Sequence, residues 1–114
     1  MHLEVSFKNL RPRDEIRQRG EHLYNKLSRF LDSASEGQLN VGIDHGKAVC
    51  ELVVSAHGKT YSSTEEDDDL RTALDKLFHT MEGQLRRGKE RRVERRRGLP
   101  GKSDGFEVEG SAAD

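Results

Sequence analysis

The chain opens on an alternation of apolar and polar residues: Leu3, Val5 and Phe7 are separated by Glu4 and Ser6, and Lys8 follows. A period of two predicts a half-buried strand. Asn9 to Arg13 breaks the pattern, with Pro12 inside the break. The spacing then becomes helical. Ile16, Leu23, Tyr24, Leu27, Phe30 and Leu31 fall on one stripe with Gly20, which predicts a helix over about 12–32 with one apolar face. Ser33-Ala34-Ser35-Glu36-Gly37 closes it.

Leu39, Val41 and Ile43 alternate again, and His45-Gly46 supplies a turn. In the next strand Cys50, Leu52, Val54 and Ala56 share one face, with Val49, Glu51, Val53 and Ser55 on the other. His57-Gly58 is a second tight turn, followed by a short strand around 59–64 with Tyr61 and Ser63 facing inward. Three strands joined by short glycine-containing turns predict an antiparallel meander. A second helix follows, striped by Leu70, Ala73, Leu74, Leu77, Phe78, Met81 and Leu85. Acids before it and arginines at its end both complement the helix dipole. Beyond Leu85 the stripe thins to Val93, so the last turns are expected to leave the core as a solvated arm, closed by Gly98-Leu99-Pro100-Gly101. The order β-α-β-β-β-α predicts an α+β fold, a four-stranded sheet with two helices packed on one face around a single core.

Composition adds size and polarity to this outline. With 114 residues, the chain fits one small domain. The division expected is an α+β domain with a basic helical extension over 1–97 and an acidic, disordered tail over 98–114. The net charge of −1 hides a strongly polarised chain. Residues 8–29 carry +4, residues 65–69 are five acids in a row, residues 86–97 carry +6 and residues 98–114 carry −3. Such polarity speaks about partners more than about fold. No apolar run approaches the roughly 18 residues of a bilayer span. The first residues lack the basic and apolar regions of a signal peptide. The single cysteine, Cys50, forms no internal disulfide, and the expected location is the cytoplasm.

Catalytic and metal chemistry finds little support. His2, His22, His45, His57 and His79 are scattered, without the convergent spacing of a zinc site. Gly58-Lys59-Thr60 ends like a phosphate loop, but Val53 stands where the first glycine is needed, and a hairpin turn is the wrong context. Cys50 lies on the inward face of a central strand and reads as a small core residue. Glu65–Asp69 lacks the glycine-interrupted spacing of a calcium loop and reads as a charged turn before a helix. The expectation is a protein that is not an enzyme, uses no cofactor and takes no small-molecule substrate. The basic features are another matter. Arg86, Arg87, Lys89, Arg91, Arg92, Arg95, Arg96 and Arg97 crowd twelve positions, against Glu90 and Glu94. Like-charge repulsion on that scale implies an anionic partner, most commonly phosphate. Arg13, Arg17, Lys26 and Arg29 lie largely off the first apolar stripe and extend the basic character. With no tryptophan and 5% aromatic residues, stacked single strands are a poor match, and a basic surface reading backbone shape suits structured RNA.

The order of elements, the acidic turn Glu65–Asp69, the segment Leu70-Arg71-Thr72-Ala73-Leu74-Asp75 and the segment Glu82-Gly83-Gln84-Leu85-Arg86-Arg87-Gly88-Lys89 together resemble the ribosome hibernation-promoting factors. That family includes the ribosome-associated translation inhibitors and is also known as the sigma-54 modulation proteins. The resemblance covers about residues 1–92. It implies a fold like that of double-stranded RNA-binding domains. It also implies binding to the small ribosomal subunit and its ribosomal RNA, in the channel used by tRNA and mRNA. Translation would thereby be inhibited, and idle ribosomes preserved, under stress or in stationary phase. The RNA-binding residues it suggests are Arg17, Lys26 and Arg29 on the first helix and Arg86, Arg87 and Lys89 on the second; Arg91 and Arg92 are added from the charge pattern. Thr80 and Gly83 stand where the family usually has Lys or Arg. Long members carry a second, dimerising domain after a linker, and the 17 residues after Arg97 are too few for one, so a short member is expected. Two other readings remain at this point: a protein-interaction module acting on a transcription regulator, and a general structured-RNA-binding domain.

Overall fold

The computed structural model describes residues 1–96, and the expected tail with its Gly98–Gly101 stop lies outside the described residues. Strand β1 (His2–Lys8) is followed by helix α1 (Asp14–Asn25), a 3₁₀ turn (Ser28–Phe30), strands β2 (Glu36–Asp44), β3 (Lys47–Ala56) and β4 (Lys59–Asp67), and helix α2 (Leu70–Arg96). The strands lie in the order β1-β2-β3-β4. β1 pairs parallel with β2, while β2, β3 and β4 form the antiparallel meander. The expected β-α-β-β-β-α order therefore holds, in a mixed sheet.

The two hairpin turns explain how the meander stays so tight. His45 and Gly46 have φ of 53° and 78°, and His57 and Gly58 have φ of 53° and 76°. Positive φ at both central residues matches the twist of two-residue hairpins and favours glycine at the second position. Alternation then decides which face is covered. Leu39, Val41, Cys50, Leu52 and Val54 are buried on one side, against Ile16, Tyr24, Leu27 and Phe30 from the α1 region and Leu74, Leu77, Met81 and Leu85 from α2. Ile43 shares the parity of Leu39 and Val41, but it sits beside the β2–β3 turn and is 37% exposed.

Three boundaries differ from the sequence reading. α1 ends at Asn25, short of residue 32. The Leu27 N–H donates to the Tyr24 carbonyl, and the Phe30 N–H donates to the Leu27 carbonyl. In this tighter winding side chains three apart eclipse one another, so Leu27 and Phe30 both enter the core without a full helix. Its start also moves, from about 12 to Asp14, because Arg13 is the extended residue before the first turn. β4 runs to Asp67, so Glu65, Glu66 and Asp67 continue the ladder opposite Cys50, Val49 and Ala48 respectively. Backbone pairing continues there regardless of side-chain charge, and inward-pointing acids on an edge strand discourage pairing with another chain.

The last acids of the run organise the start of α2, whose first turn itself contains none. Asp69 Oδ2 accepts from the Thr72 N–H at 3.0 Å and the Thr72 hydroxyl at 2.7 Å, a cap at the helix entry. Asp67 accepts from the Asp69 N–H and from Lys76 Nζ, both at 2.9 Å. The Asp69 carboxyl is held below its usual range chiefly by the Thr72 hydroxyl, and that of Asp67 chiefly by the Asp69 N–H and then by Lys76.

At its far end α2 stays on the body longer than the apolar stripe alone suggests. Gly88 is buried, and a Cβ there would collide with the Tyr61 hydroxyl, with ring atoms at 3.1 and 3.3 Å behind it. The backbone of α2 thus lies directly on an aromatic side chain, a position that only glycine fits. The arm leaves the body beyond this contact, about one turn after Leu85.

Two predictions follow from the ends of α2. Gly83→Ala, where the nearest atom to a new Cβ is Arg87 Nη1 at 3.5 Å, should stabilise by up to about 1 kcal/mol in urea unfolding. Gly88→Ala should instead destabilise, despite the same gain in helix propensity; equal gains at both sites would refute the Tyr61 contact. Asp67 and Asp69 have depressed folded values, so their stabilisation is complete above the unfolded carboxyl value near 4 and is lost as pH falls through the folded one. The melting temperature of an Asp67→Asn, Asp69→Asn double variant should therefore fall less steeply than wild type between about pH 4 and 2.

Candidate nucleic-acid interface

The sheet runs α2 back alongside β4, which returns its C-terminal half to the β3–β4 turn. The end of α1 and the 3₁₀ turn arrive at the same place. Arg29 Nη2 lies 3.5 Å from Glu82 Oε2, and its guanidinium carbon lies 4.7 Å from the centre of the Phe30 ring. Lys89 Nζ is 5.9 Å from the same ring centre. Phe30 is itself buried at 3% exposure, so this ring is a fixed floor on which cations from two elements rest. Arg86 also faces Glu82, at 3.6 Å, which makes one carboxylate the shared neighbour of two guanidinium groups. Both guanidinium groups are exposed and Glu82 is half-buried, and such pairs hold geometry more than they add stability.

Two hollows flank this group. One, of about 420 Å³, is lined by Arg29, Phe30, Arg86, Lys89, Glu90, Val93 and Glu94. The other, of about 560 Å³, is lined by Arg29, Leu31, His57, Lys89, Arg92 and Arg95. Its lining includes four permanent cations and no carboxylate. Among the described residues no ion pair engages Lys89, Arg92 or Arg95. His57 fastens this hollow to the 3₁₀ turn: its Nε2 is 3.2 Å from the Phe30 carbonyl oxygen, and its Nδ1 is 3.5 Å from Asp32 Oδ2. Asp32 is held below the usual carboxyl range first by the Ser35 hydroxyl and further by His57.

The sequence-derived residues separate into groups. Arg29, Arg86, Lys89 and Arg92 come together around the hollows. Arg87 and Arg91, one turn apart on α2, lie on another side of the helix, and the Arg87 guanidinium reaches back towards Gly83. Lys26 is exposed at the C-terminal cap of α1. Arg17 stands in the first half of α1, its guanidinium carbon 5.5 Å from the centre of the Phe7 ring at the other end of β1. It is not part of the cluster. Arg95 and His57 were not among the sequence candidates; Arg95 was visible only as part of the arginine run, while His57 looked like a turn residue because its partner lies 27 positions away.

Cys50 is 1% exposed, and burial, followed by the nearby Glu65 charge, pushes its thiol up to about 12, far from the reactive thiolate form. Among the described residues no group of three or more His, Cys, Asp or Glu could hold a metal ion, and no helix is long and apolar enough to cross a membrane.

A mixed four-stranded sheet with two helices on one face and a cationic pole defines a small α+β domain that presents positive charge at one end. The family model described as sigma 54 modulation protein / S30EA ribosomal protein matches residues 3–93, and the chain belongs to that family. Among solved structures it is similar to the Thermus thermophilus Protein Y N-terminal domain, with 28% identity and a TM-score of 0.71 over 76% of this chain and 98% of that one. It is also similar to a ribosomal subunit interface protein from Coxiella burnetii, with a TM-score of 0.67 over 79% of this chain and 99% of that one; at 24% identity this likeness is one of fold. No curated protein sequence matches the chain.

Proposed function

We propose that the protein is a non-enzymatic, cytoplasmic ribosome-binding factor. On this reading it occupies the tRNA and mRNA channel of the small subunit, inhibits translation and preserves idle ribosomes under stress or in stationary phase. The observation that supports this most directly is the convergence of Arg29, Arg86, Lys89 and Arg92 from two elements at one pole, in a family whose description is ribosomal. The cations would neutralise ribosomal RNA phosphates, while the rigid α+β body fills space that tRNA and mRNA would use. Arg87, Arg91 and Lys26 would widen the contact, and Arg17 would touch RNA from the opposite end of α1. The division into an RNA-binding domain over 1–97 and an acidic tail over 98–114 belongs to the same proposal.

Phosphate neutralisation releases counterions, so the logarithm of the binding constant should fall with that of salt concentration by about 0.9 per duplex phosphate contacted. A second reading is favoured by the other half of the family description, sigma 54 modulation: the basic pole would dock an acidic protein surface. Ribonuclease treatment of a pull-down releases the partner in the first case and leaves it bound in the second. Binding to generic duplex RNA as strong as to ribosomes would point to a general RNA-binding domain instead.

Reversal of Arg86, Arg87 and Lys89 to Glu should abolish co-sedimentation with small subunits in sucrose gradients, with an unchanged circular dichroism melt. Arg17→Glu, remote from the cluster, should weaken it less than Lys89→Glu. Retained association of the triple variant at moderate salt would overturn the assignment of the cationic pole.

A further inference from the structure

The two edges of the sheet are finished differently. β4 closes one edge with Glu65 and Asp67 on its inward face, and α2 lies along it, bonded through Ser63 and Gln84. β1 closes the other edge with Leu3, Val5 and Phe7 on that face, all half-buried, and neither a charge nor a proline guards them. The His2 N–H donates to the Ser35 carbonyl at 3.2 Å, so His2, Glu4, Ser6 and Lys8 turn their backbone groups towards β2. By alternation the N–H and C=O groups of Leu3, Val5 and Phe7 point away from the sheet. Among the described residues no backbone hydrogen bond from another element reaches them. α1 packs inboard of this edge: at Gly20 an added Cβ would lie 2.7 Å from the Leu39 side chain on β2.

An edge of this kind is a template for a further strand, and its own charges select which one. Let β1 of a second copy run antiparallel to it about Ser6. Glu4 then stands opposite the partner's Lys8, and Lys8 opposite the partner's Glu4. Val5 and Phe7 meet the partner's Phe7 and Val5, with about four backbone hydrogen bonds across the seam. Glu4, Ser6 and Lys8 occupy the positions between those bonds, where paired Cα atoms are about 4.5 Å apart and side chains come closest. Pairing about Glu4 would set that carboxylate against itself. Pairing about Val5 makes more backbone bonds but sets Lys8 against His2. Glu4 and Lys8 are both exposed, and among the described residues no ion pair engages either, so neither leaves a partner to make this contact.

We propose that β1 is a self-association edge, through which two copies join antiparallel with Ser6 opposite Ser6 and Glu4 paired with the partner's Lys8. The two-fold axis stands perpendicular to the sheet, so the joined sheet is continuous and the helices of both copies share one face. The contact is isologous and therefore closes at two copies, because the β4 edge of each carries the inward acids. One short strand from each copy buries far less than the roughly 1,600 Å² of a tight complex, so the pairing is reversible, with a dissociation constant on the order of 0.1 mM. No residue of β1 or α1 lines either cationic hollow, and the dimer leaves both open. The proposal does not rest on the RNA-binding reading.

The test is sedimentation equilibrium of the full chain at roughly 20 mM salt, where exposed charges are least screened. The protein should be mainly monomeric at about 10 μM and mainly dimeric at about 1 mM. Glu4→Lys and Lys8→Glu each set like charges opposite one another at both ends of the seam, and each should weaken self-association about tenfold or more. An equimolar mixture of the two variants should restore the dimer, because each chain then meets its opposite. Both positions are exposed, so circular dichroism melts should match wild type. Ser6→Cys should crosslink under mild oxidation, since residues paired at that position lie within disulfide reach. Ser55→Cys, exposed on the same face of the central strand β3, should not, and the native Cys50 is buried. A monomer at 1 mM overturns the proposal. So does a dimer that both charge variants form as well as wild type, or crosslinking as efficient through Ser55→Cys as through Ser6→Cys.

Discussion

The seam between α2 and the sheet governs the rest of the molecule. Ala73, Leu74, Leu77, Met81 and Leu85 lie at 0–2% exposure along it, and Gly88 extends it by letting the helix backbone rest on Tyr61. Polar contacts hold the same line: the Ser63 hydroxyl donates to the Leu77 carbonyl at 3.3 Å, and the Gln84 amide donates to the Ser62 carbonyl at 2.8 Å. Because α2 is pinned over four turns, its axis is fixed before it leaves the body. The direction of the arginine arm is therefore a consequence of core packing. Among the described residues the buried Tyr61 hydroxyl has no hydrogen-bond partner, which marks how much the close approach at Gly88 asks of its neighbours.

The same geometry sorts charge. The last three acids of the run are taken up around the start of α2, where Asp67 receives Lys76, Asp69 caps the helix and Asp68 lies 3.3 Å from Lys47, while Glu65 and Glu66 stay in β4. The arginines collect at the other end, where few carboxylates face them. A nearly neutral chain becomes a molecule with separated poles, and a field of that form orients an approaching polyanion before contact. Asp67, Asp68 and Asp69 are thus occupied by structural work, while among the described residues no ion pair engages Lys89, Arg92 or Arg95.

Strands and the apolar stripe of α2 were legible in the sequence because each depends on periodicity alone. Ile16, Leu39, Leu52 and Leu77 all point where their spacing says they should. What periodicity missed was decided by tertiary contacts. The stripe of α1 continues through Leu27 and Phe30, yet a separate 3₁₀ turn carries the same residues into the core. β4 extends into Glu65–Asp67 because β3 offers backbone partners that residue type does not reveal. The arginine run announced an anion-binding surface, but its division between the hollows and another side of the helix depends on where Phe30, Leu31 and His57 arrive. Gly88 reads as a weak point in a helix until Tyr61 is placed beneath it.

Thr80 and Gly83 fit this division. A period of 3.6 residues places Thr80, Gly83, Arg87 and Arg91 along one side of α2, and none of the four lines either hollow. The resemblance expects cations at both of the first two positions, so the side that has lost them keeps only Arg87 and Arg91. The other side retains Arg86 and Lys89 and is enlarged by Arg92 and Arg95. On the proposed RNA-binding reading, the weight of phosphate contact shifts along α2 from its outward side towards its end. Such a shift leaves the fold untouched, because none of these positions enters the seam that holds α2 to the sheet.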